Sequence, residues 1–308
     1  MNRTRRIIVN FIFIFIGFVQ SLNAQVSSYQ SFFVQNDDVK IHCVEKGSGP
    51  VILFLHGFPD FWFTWKYQMD AMADEGYRVV AMDLRGYNES DKPEAVERYR
   101  MSELISDVVA VIRAQNVSDG VTIVGNDWGG AIAWQVAIYY PGLVKNLIAC
   151  NIPHPSSLRA VLNEKPETSG YTHDFTAPNA VDIYTPQKLL AIASVSDVEI
   201  REFYIEAFEK SRIQSMLDYY KASYPKVKPS SNKKPTTSIP LKKVQCPVLM
   251  IHGMQDTVFP PPSLNNHWDY INNNFTLYTI PDAGHFVQRD APEEVLKVIK
   301  NWLSSIQL

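Results

Sequence analysis

The segment Gly125-Asn126-Asp127-Trp128-Gly129-Gly130 lies between two runs of opposite character. Before it comes an apolar, strand-like stretch, Val121-Thr122-Ile123-Val124; after it comes a small-residue helical stretch, Ala131 to Ala137. A strand joined so directly to a helix needs a sharp turn. Only small residues fit beside the tip of such a turn, and the tip side chain projects from the sheet, the context of a nucleophile elbow. The tip here is Asp127, where Ser is the common occupant. A carboxylate needs no base to become nucleophilic at neutral pH, and it attacks carbon to give an alkyl ester. The competing role is a helix cap, which Asp also favours; the rest of the chain favours the elbow.

Apolar runs on either side repeat the same alternation. Ser31 to Val34 and Val39 to Val44 read as antiparallel strands joined at Asn36-Asp37-Asp38. Val51 to Leu55, Arg78 to Met82, Val121 to Val124, Leu143 to Cys150, Pro247 to Ile251 and Phe275 to Ile280 complete eight. Helical patterns separate the later ones: Met101 to Ala114, the run after Asp127, about Pro262 to Ile271, and Pro292 to Leu303. Continuous apolar strands separated by helices imply a mostly parallel α/β sheet covered on both faces. The alternation breaks at Pro153-His154-Pro155. From 153 to 241 the chain is helical and polar, ending in a basic, Pro- and Ser-rich stretch. An all-helical insertion there reads as a cap over the carboxyl edge of the sheet, where ligands bind in such folds. The core then comprises 25–152 and 242–308.

Residues 1–24 stand apart. Arg3, Arg5 and Arg6 precede the apolar run Ile7 to Val19, and Ser21-Leu22-Asn23-Ala24 offers a cleavage point, the pattern of a secretory signal peptide. The run is shorter than the ~20 apolar residues a spanning helix needs, so no stable membrane insertion is expected after cleavage, and the protein is expected to be secreted or periplasmic. Cleavage removes three arginines and no acid, taking the formal charge from −3 to −6. A mildly acidic chain does not suit a nucleic-acid partner. Cys43, Cys150 and Cys246 are widely spaced, without metal-ligand spacing, and their odd number makes a poor disulfide framework. They read as buried free thiols. No metal and no organic cofactor is expected.

Four segments end or follow strands on one edge: His56-Gly57-Phe58-Pro59, the elbow, His252-Gly253-Met254-Gln255-Asp256 and Gly284-His285-Phe286. Nucleophile, acid, His is the order that this strand–turn–helix architecture uses for its triads. With these motifs the mature chain resembles the α/β-hydrolases of the epoxide hydrolase and haloalkane dehalogenase branch. Its GNDWGG is similar to that branch's Asp-Trp-Gly elbow, its HGFPD to the His-Gly-X-Pro motif, and Asp83 to Asp91 to the loop after the fourth strand. The expected chemistry follows from the residues. Asp127 attacks an electrophilic carbon; His285 activates the water that hydrolyses the ester; Asp256 orients and stabilises the imidazole. Asn151, after the sixth strand, stands where some relatives carry the acid, but an amide supplies no charge. The resemblance further implies an oxyanion hole from the amides of Phe58 and Trp128 and a cis Pro59. His56 reads as a structural hydrogen bonder.

What leaves when Asp127 attacks separates the two activities. Halide release needs N–H donors, often Trp indoles or an Asn; epoxide opening needs acidic O–H donors. The stretch 153–241 holds no Trp, and Phe58 occupies the place of the second halide-binding Asn. By contrast, Tyr171 to Pro178 resembles the epoxide hydrolase segment led by a donor Tyr. Leu217-Asp218-Tyr219-Tyr220-Lys221 resembles the second such segment. The resemblance assigns the donor role to Tyr171 and Tyr220, with Tyr219 the neighbour that could hold it instead. Phe58, Trp128, Phe61 and Trp62 are expected to line an apolar substrate site. The expected activity is hydrolysis of a small apolar epoxide by water to a vicinal diol. Haloalkane dehalogenation is the alternative, and a non-catalytic binding protein on the same fold is a lesser one.

Overall fold

The structure is a computed structural model that describes residues 28–164, 166–195, 197–224 and 242–306. The expected leader, 1–24, and most of the basic stretch, 225–241, lie outside the described residues. Eight strands form one sheet in the order β1-β2-β4-β3-β5-β6-β7-β8. The hairpin β1 (Gln30–Asn36) and β2 (Val39–Lys46) turns at Asp37, whose φ of 51° is left-handed. β3 (Val51–Leu55), β4 (Arg78–Met82), β5 (Val121–Asn126), β6 (Val144–Cys150), β7 (Val248–Gly253) and β8 (Phe275–Ile280) follow. Only β2 runs against the others; every pairing from β4 through β8 is parallel.

Burial explains the composition of the strands. β3, β5 and β7 are buried at every residue, so their sequences are predominantly apolar, with Thr122, Asn126 and His252 the polar exceptions. β8 has one neighbour and is exposed along most of its length, so threonines intersperse its apolar residues. Helices α1 (Lys66–Asp74), α2 (Met101–Ala114) and α3 (Asp127–Tyr139) occupy the crossovers. α2 packs on α3, and α1 packs on the last helix, giving the sheet its cover.

Between β6 and β7 the described chain is helical: α4 (Pro155–Glu164), α5 (Tyr171–Thr176), α6 (Ala180–Ile183), α7 (Pro186–Ile192), α8 (Val198–Lys210) and α9 (Ile213–Ser223). α9 packs on α5 and on the 3-10 turn Val96–Tyr99, which anchors this layer to the loop after β4. α10 (Val287–Asp290) and α11 (Pro292–Ile306) close the chain. One expected helix is absent. Pro262 to Ile271 forms two 3-10 turns, Pro261–Leu264 and His267–Tyr270, and Ile271 bridges to Val244. Successive prolines at 260 to 262 supply no N–H for an α-helical ladder, and Asn266 between the turns is left-handed, with φ 63°. Cys43, Cys150 and Cys246 are buried free thiols.

Candidate active site

Asp127 is the first residue of α3, immediately after β5, and its φ is 51°. A non-glycine residue held in the left-handed region costs about 1–3 kcal/mol and persists where its surroundings over-determine it. The surroundings here are tight. A Cβ on Gly57 would lie 2.4 Å from the Asp127 Cβ, and one on Gly129 would lie 2.4 Å from the His56 and Leu55 carbonyl oxygens. Glycine is therefore required where the β3 loop crosses the elbow. Asn126 fastens the same turn: its side-chain amide donates to the carbonyls of Cys150 (3.0 Å) and His285 (3.1 Å).

The Phe58 N–H donates to Asp127 Oδ1 at 2.7 Å, and the Phe58–Pro59 bond is cis. One of the two expected oxyanion donors is thus aimed at the carboxylate. The Trp128 amide makes no such bond among those described. Its indole instead lines the cavity beside Asp127 and meets the rings of Tyr219, Tyr220 and Tyr224 edge-on. His56 is buried, accepting from the Leu84 N–H at Nε2 (3.0 Å) and meeting the Gly57 carbonyl at Nδ1 (2.8 Å). Burial pushes its pKa down, so it is a neutral structural link between the loops after β3 and β4.

Three loops bring the charged groups together. His285 Nε2 stands 3.5 Å from Asp127 Oδ2, and its Nδ1 stands 3.0 Å from Asp256 Oδ2. Asp256 Oδ1 accepts from the N–H groups of Val258 (2.7 Å) and Phe259 (3.0 Å), and Asn151 donates to Oδ2 at 2.6 Å. Burial alone would lift the Asp256 pKa, but the His285 charge and these donors hold it below the ordinary value. For His285, burial disfavours the cation, yet the carboxylates of Asp256 and Asp127 outweigh it and raise the pKa to about 10. Asn151 therefore does not replace the acid; it holds it.

A cavity of about 260 Å³ opens against Asp127, lined also by Trp128, Ile152, Tyr171, Tyr220 and Phe259. Both expected donor tyrosines reach it from the helical layer, Tyr171 from α5 and Tyr220 from α9. Burial pushes both phenols well above their ordinary pKa, reinforced for Tyr171 first by the adjacent Tyr224 hydroxyl and for Tyr220 by the Asp127 charge, which keeps them in the O–H form. Tyr219 is elsewhere: its hydroxyl donates to the Arg85 carbonyl at 2.7 Å, and it is fully buried. Tyr224, which sequence reasoning did not single out, also lines the cavity, with its hydroxyl 3.4 Å from that of Tyr171.

Phe61 and Trp62 do not line this cavity, contrary to expectation. They belong to a 3-10 segment turned into the packing between core and helical layer. Phe61 meets Phe203 and Tyr204 of α8 edge-on, and Trp62 packs on Tyr29 while its N–H donates to Asp83. Asp60 beside them is 1% exposed and accepts from the Tyr204 hydroxyl at 3.0 Å, with the Arg289 guanidinium 3.4 Å away. That group ties α8 to the loop carrying Phe58, a tie the motif alone did not reveal. Phe58 does not line the cavity either; its ring packs against Phe175 and Tyr220, and it meets the site through its N–H on Asp127 Oδ1. Among the described residues no cluster of side chains could hold a metal ion.

Residues 50–292 match the family described as alpha/beta hydrolase fold. The chain belongs to that family. This α/β-hydrolase is 32% identical to a Bacillus subtilis protein of the AB hydrolase superfamily, over 89% of this chain and 97% of that one. It is 31% identical to epoxide hydrolase 3 of Xenopus tropicalis, over 88% and 76% of the two chains. Among solved structures it is similar to an epoxide hydrolase from hot-environment metagenomes, with a TM-score of 0.81, 32% identity and coverage of 89% and 98%. A Bacillus megaterium epoxide hydrolase complexed with its diol product aligns with a TM-score of 0.80, 30% identity and coverage of 89% and 100%. Homologues and structural neighbours of this hydrolase are thus epoxide hydrolases.

Proposed function

We propose that this hydrolase converts an epoxide and water to a vicinal diol through an alkyl ester on Asp127. The observation that carries the reading is the convergence on one cavity of the elbow carboxylate and two neutral phenols. Asp127 attacks a ring carbon and the C–O bond breaks toward oxygen. A phenolic O–H of Tyr171 or Tyr220 then supplies the proton to the oxygen that leaves. Asp127 Oδ2 faces His285, while Oδ1 accepts from the Phe58 N–H. Water next attacks the ester carbonyl, its proton passing to His285 Nε2. The tetrahedral oxyanion forms where the Phe58 N–H already points, and a donor placed in advance of the charge commonly contributes ~10²–10³ in rate. Collapse expels the second alkoxide, which takes the proton held on His285, while the other proton of the water restores the phenol; the carboxylate returns and the diol is released.

Alkylation also prepares the base. Ester formation removes the Asp127 charge, one of the two carboxylates that keep His285 protonated. The imidazole pKa falls when a neutral base is needed. Halide release is the lesser reading because the tyrosines supply O–H donors, and no Trp from 153–241 joins Trp128. The leader pattern at Arg3 to Ala24 supports an exported enzyme. Parallel assays of diol formation from aryl and alkyl epoxides, and of halide release from haloalkanes, test the reading. Halide without diol would overturn it.

A further inference from the structure

A second Ser–His–Asp arrangement lies outside the elbow. Ser31 and Phe33, two apart on β1, share one face of the hairpin, and His42 and Val44 on β2 share that face. The register pairs Ser31 with Val44 and Phe33 with His42, so Ser31 and His42 are diagonal neighbours. Their polar ends meet. Ser31 Oγ is 3.0 Å from His42 Nε2, and His42 Nδ1 is 2.7 Å from Asp83 Oδ2. Asp83 also accepts from the Trp62 N–H at Oδ1 (3.1 Å) and from Asn88 at Oδ2 (2.8 Å). Burial would raise its pKa, but its contacts, led by the hydrogen bond from His42, hold it below the ordinary carboxylate value. An ionised carboxylate only accepts, so His42 Nδ1 carries the proton and Nε2 offers its lone pair to the Ser31 O–H. Ser31 and His42 line a cavity of about 320 Å³ that shares no lining residue with the one against Asp127. Tyr29, Phe33, Trp62 and Phe203 of α8 give it aromatic walls, and Asn88 and Lys210 bring N–H donors. Glu89, its lining carboxylate, is neutralised by Lys210 at 2.9 Å.

We infer that Ser31 is the nucleophile of a second site, which hydrolyses small carboxylic esters with an apolar acyl group. Ser31 Oγ attacks the ester carbonyl carbon as its proton passes to His42 Nε2. The bond to the alcohol oxygen then breaks, and that oxygen takes the proton from His42. Water next adds to the carbonyl of acyl-Ser31, giving one proton to His42, which returns it to Ser31 Oγ as the carboxylic acid departs. The second N–H of the Asn88 amide and the Lys210 ammonium are the donors available to the oxyanion of each step. Asp83 is a positioning residue: it fixes the imidazole tautomer and favours the cation that forms, as the third member of a triad does. Ser31 is exposed, while His42 and Asp83 behind it are buried. The hydroxyl is thus open to a substrate, and its base is shielded from water on the far side.

The inference does not depend on the epoxide-opening reading, and its test runs equally well with the elbow disabled. Two probes are used on the full chain. Diethyl para-nitrophenyl phosphate leaves a stable phosphoryl group on an activated serine, and para-nitrophenyl butyrate reports ester turnover. Peptide mapping should find the phosphoryl label on Ser31 in wild type and in Asp127→Asn alike. His42→Gln should slow that labelling by ~10²–10⁴, the span of general-base effects. Butyrate ester turnover should survive Asp127→Asn and be lost in Ser31→Ala. Because Ser31→Ala removes only an exposed hydroxyl, its denaturant unfolding curve should match that of wild type, which makes the loss one of chemistry and not of folding. A wild type left unlabelled at Ser31, labelling as fast in His42→Gln, or ester turnover that Ser31→Ala leaves intact would each overturn the second site.

Discussion

Asn151 donates to Asp256 Oδ2 at 2.6 Å, the same oxygen that His285 Nδ1 meets at 3.0 Å. Its side-chain oxygen accepts from the Gly253 N–H at 3.1 Å, and its amide also reaches the Gly284 carbonyl at 3.1 Å. One side chain at the end of β6 therefore registers the loops after β7 and β8 against each other. Asp256→Asn is expected to lower ester hydrolysis by ~10³–10⁴, as loss of charge from the third member of a triad does. Asn151→Ala should cost about tenfold, the loss of one hydrogen bond to a charged group. Single-turnover kinetics check both, and an Asn151→Ala protein with an unaltered hydrolysis rate would show that Asp256 needs no support from β6.

Two-step chemistry on Asp127 predicts a trapped species. In His285→Gln the Phe58 donor and the nucleophile remain, but the imidazole that stands 3.5 Å from Asp127 Oδ2 is gone and nothing takes the proton from water. Incubation with an epoxide should leave an adduct of one substrate mass, located by peptide mapping at Asp127. Asp127→Asn should show no adduct and a loss of turnover exceeding ~10⁴. An adduct on another residue, or none on His285→Gln, would remove the covalent route.

The sheet and the triad were legible because each is written in local pattern. Buried central strands are apolar along most of their length, and an elbow must place small residues around its tip, so β3, β5 and Asp127 could be read from short windows. The pairing of Asp60 with Arg289 depends on which distant helix lands where, and no window contains both partners. Phe61 and Trp62 failed for that reason. An aromatic run after HGFP is equally compatible with a substrate wall and with packing, and Tyr204 of α8 decides for packing. Tyr224 was hidden among fifteen tyrosines; its position at the end of α9, facing Tyr171, is a tertiary fact.

Consecutive tyrosines on α9 provide a controlled comparison. Tyr220→Phe removes an O–H lining the cavity and should slow ester formation by about 10–10² in a rapid-quench measurement, the span of general-acid effects at their lower end. Tyr219→Phe removes the donor to the Arg85 carbonyl, 2.7 Å away and buried. That should cost about 1 kcal/mol in denaturant unfolding while leaving ester formation within about twofold. The reverse assignment, with Tyr219→Phe the slower to alkylate, would place the proton donor one residue earlier.

The raised pKa of His285 makes a signed prediction about pH. Its folded value, about 10, exceeds the ordinary value of 6.5, because the Asp256 and Asp127 carboxylates overcome burial. A group raised on folding contributes stability that is fully present below its unfolded pKa and is lost as pH rises through the folded one. Wild-type stability should therefore decline between about pH 6.5 and pH 10 from this residue, and Asp127→Asn should flatten that decline. Titration of the His285 ring by NMR should show its midpoint moving down in Asp127→Asn, which carries the neutral side chain of the ester stage. Hydrolysis of the ester formed by the wild type in a single turnover should rise with pH around that lower midpoint, since only the neutral imidazole accepts a proton from water. A midpoint unchanged by Asp127→Asn would show that Asp256 alone holds the charge, and the handover of basicity on alkylation would be lost with it.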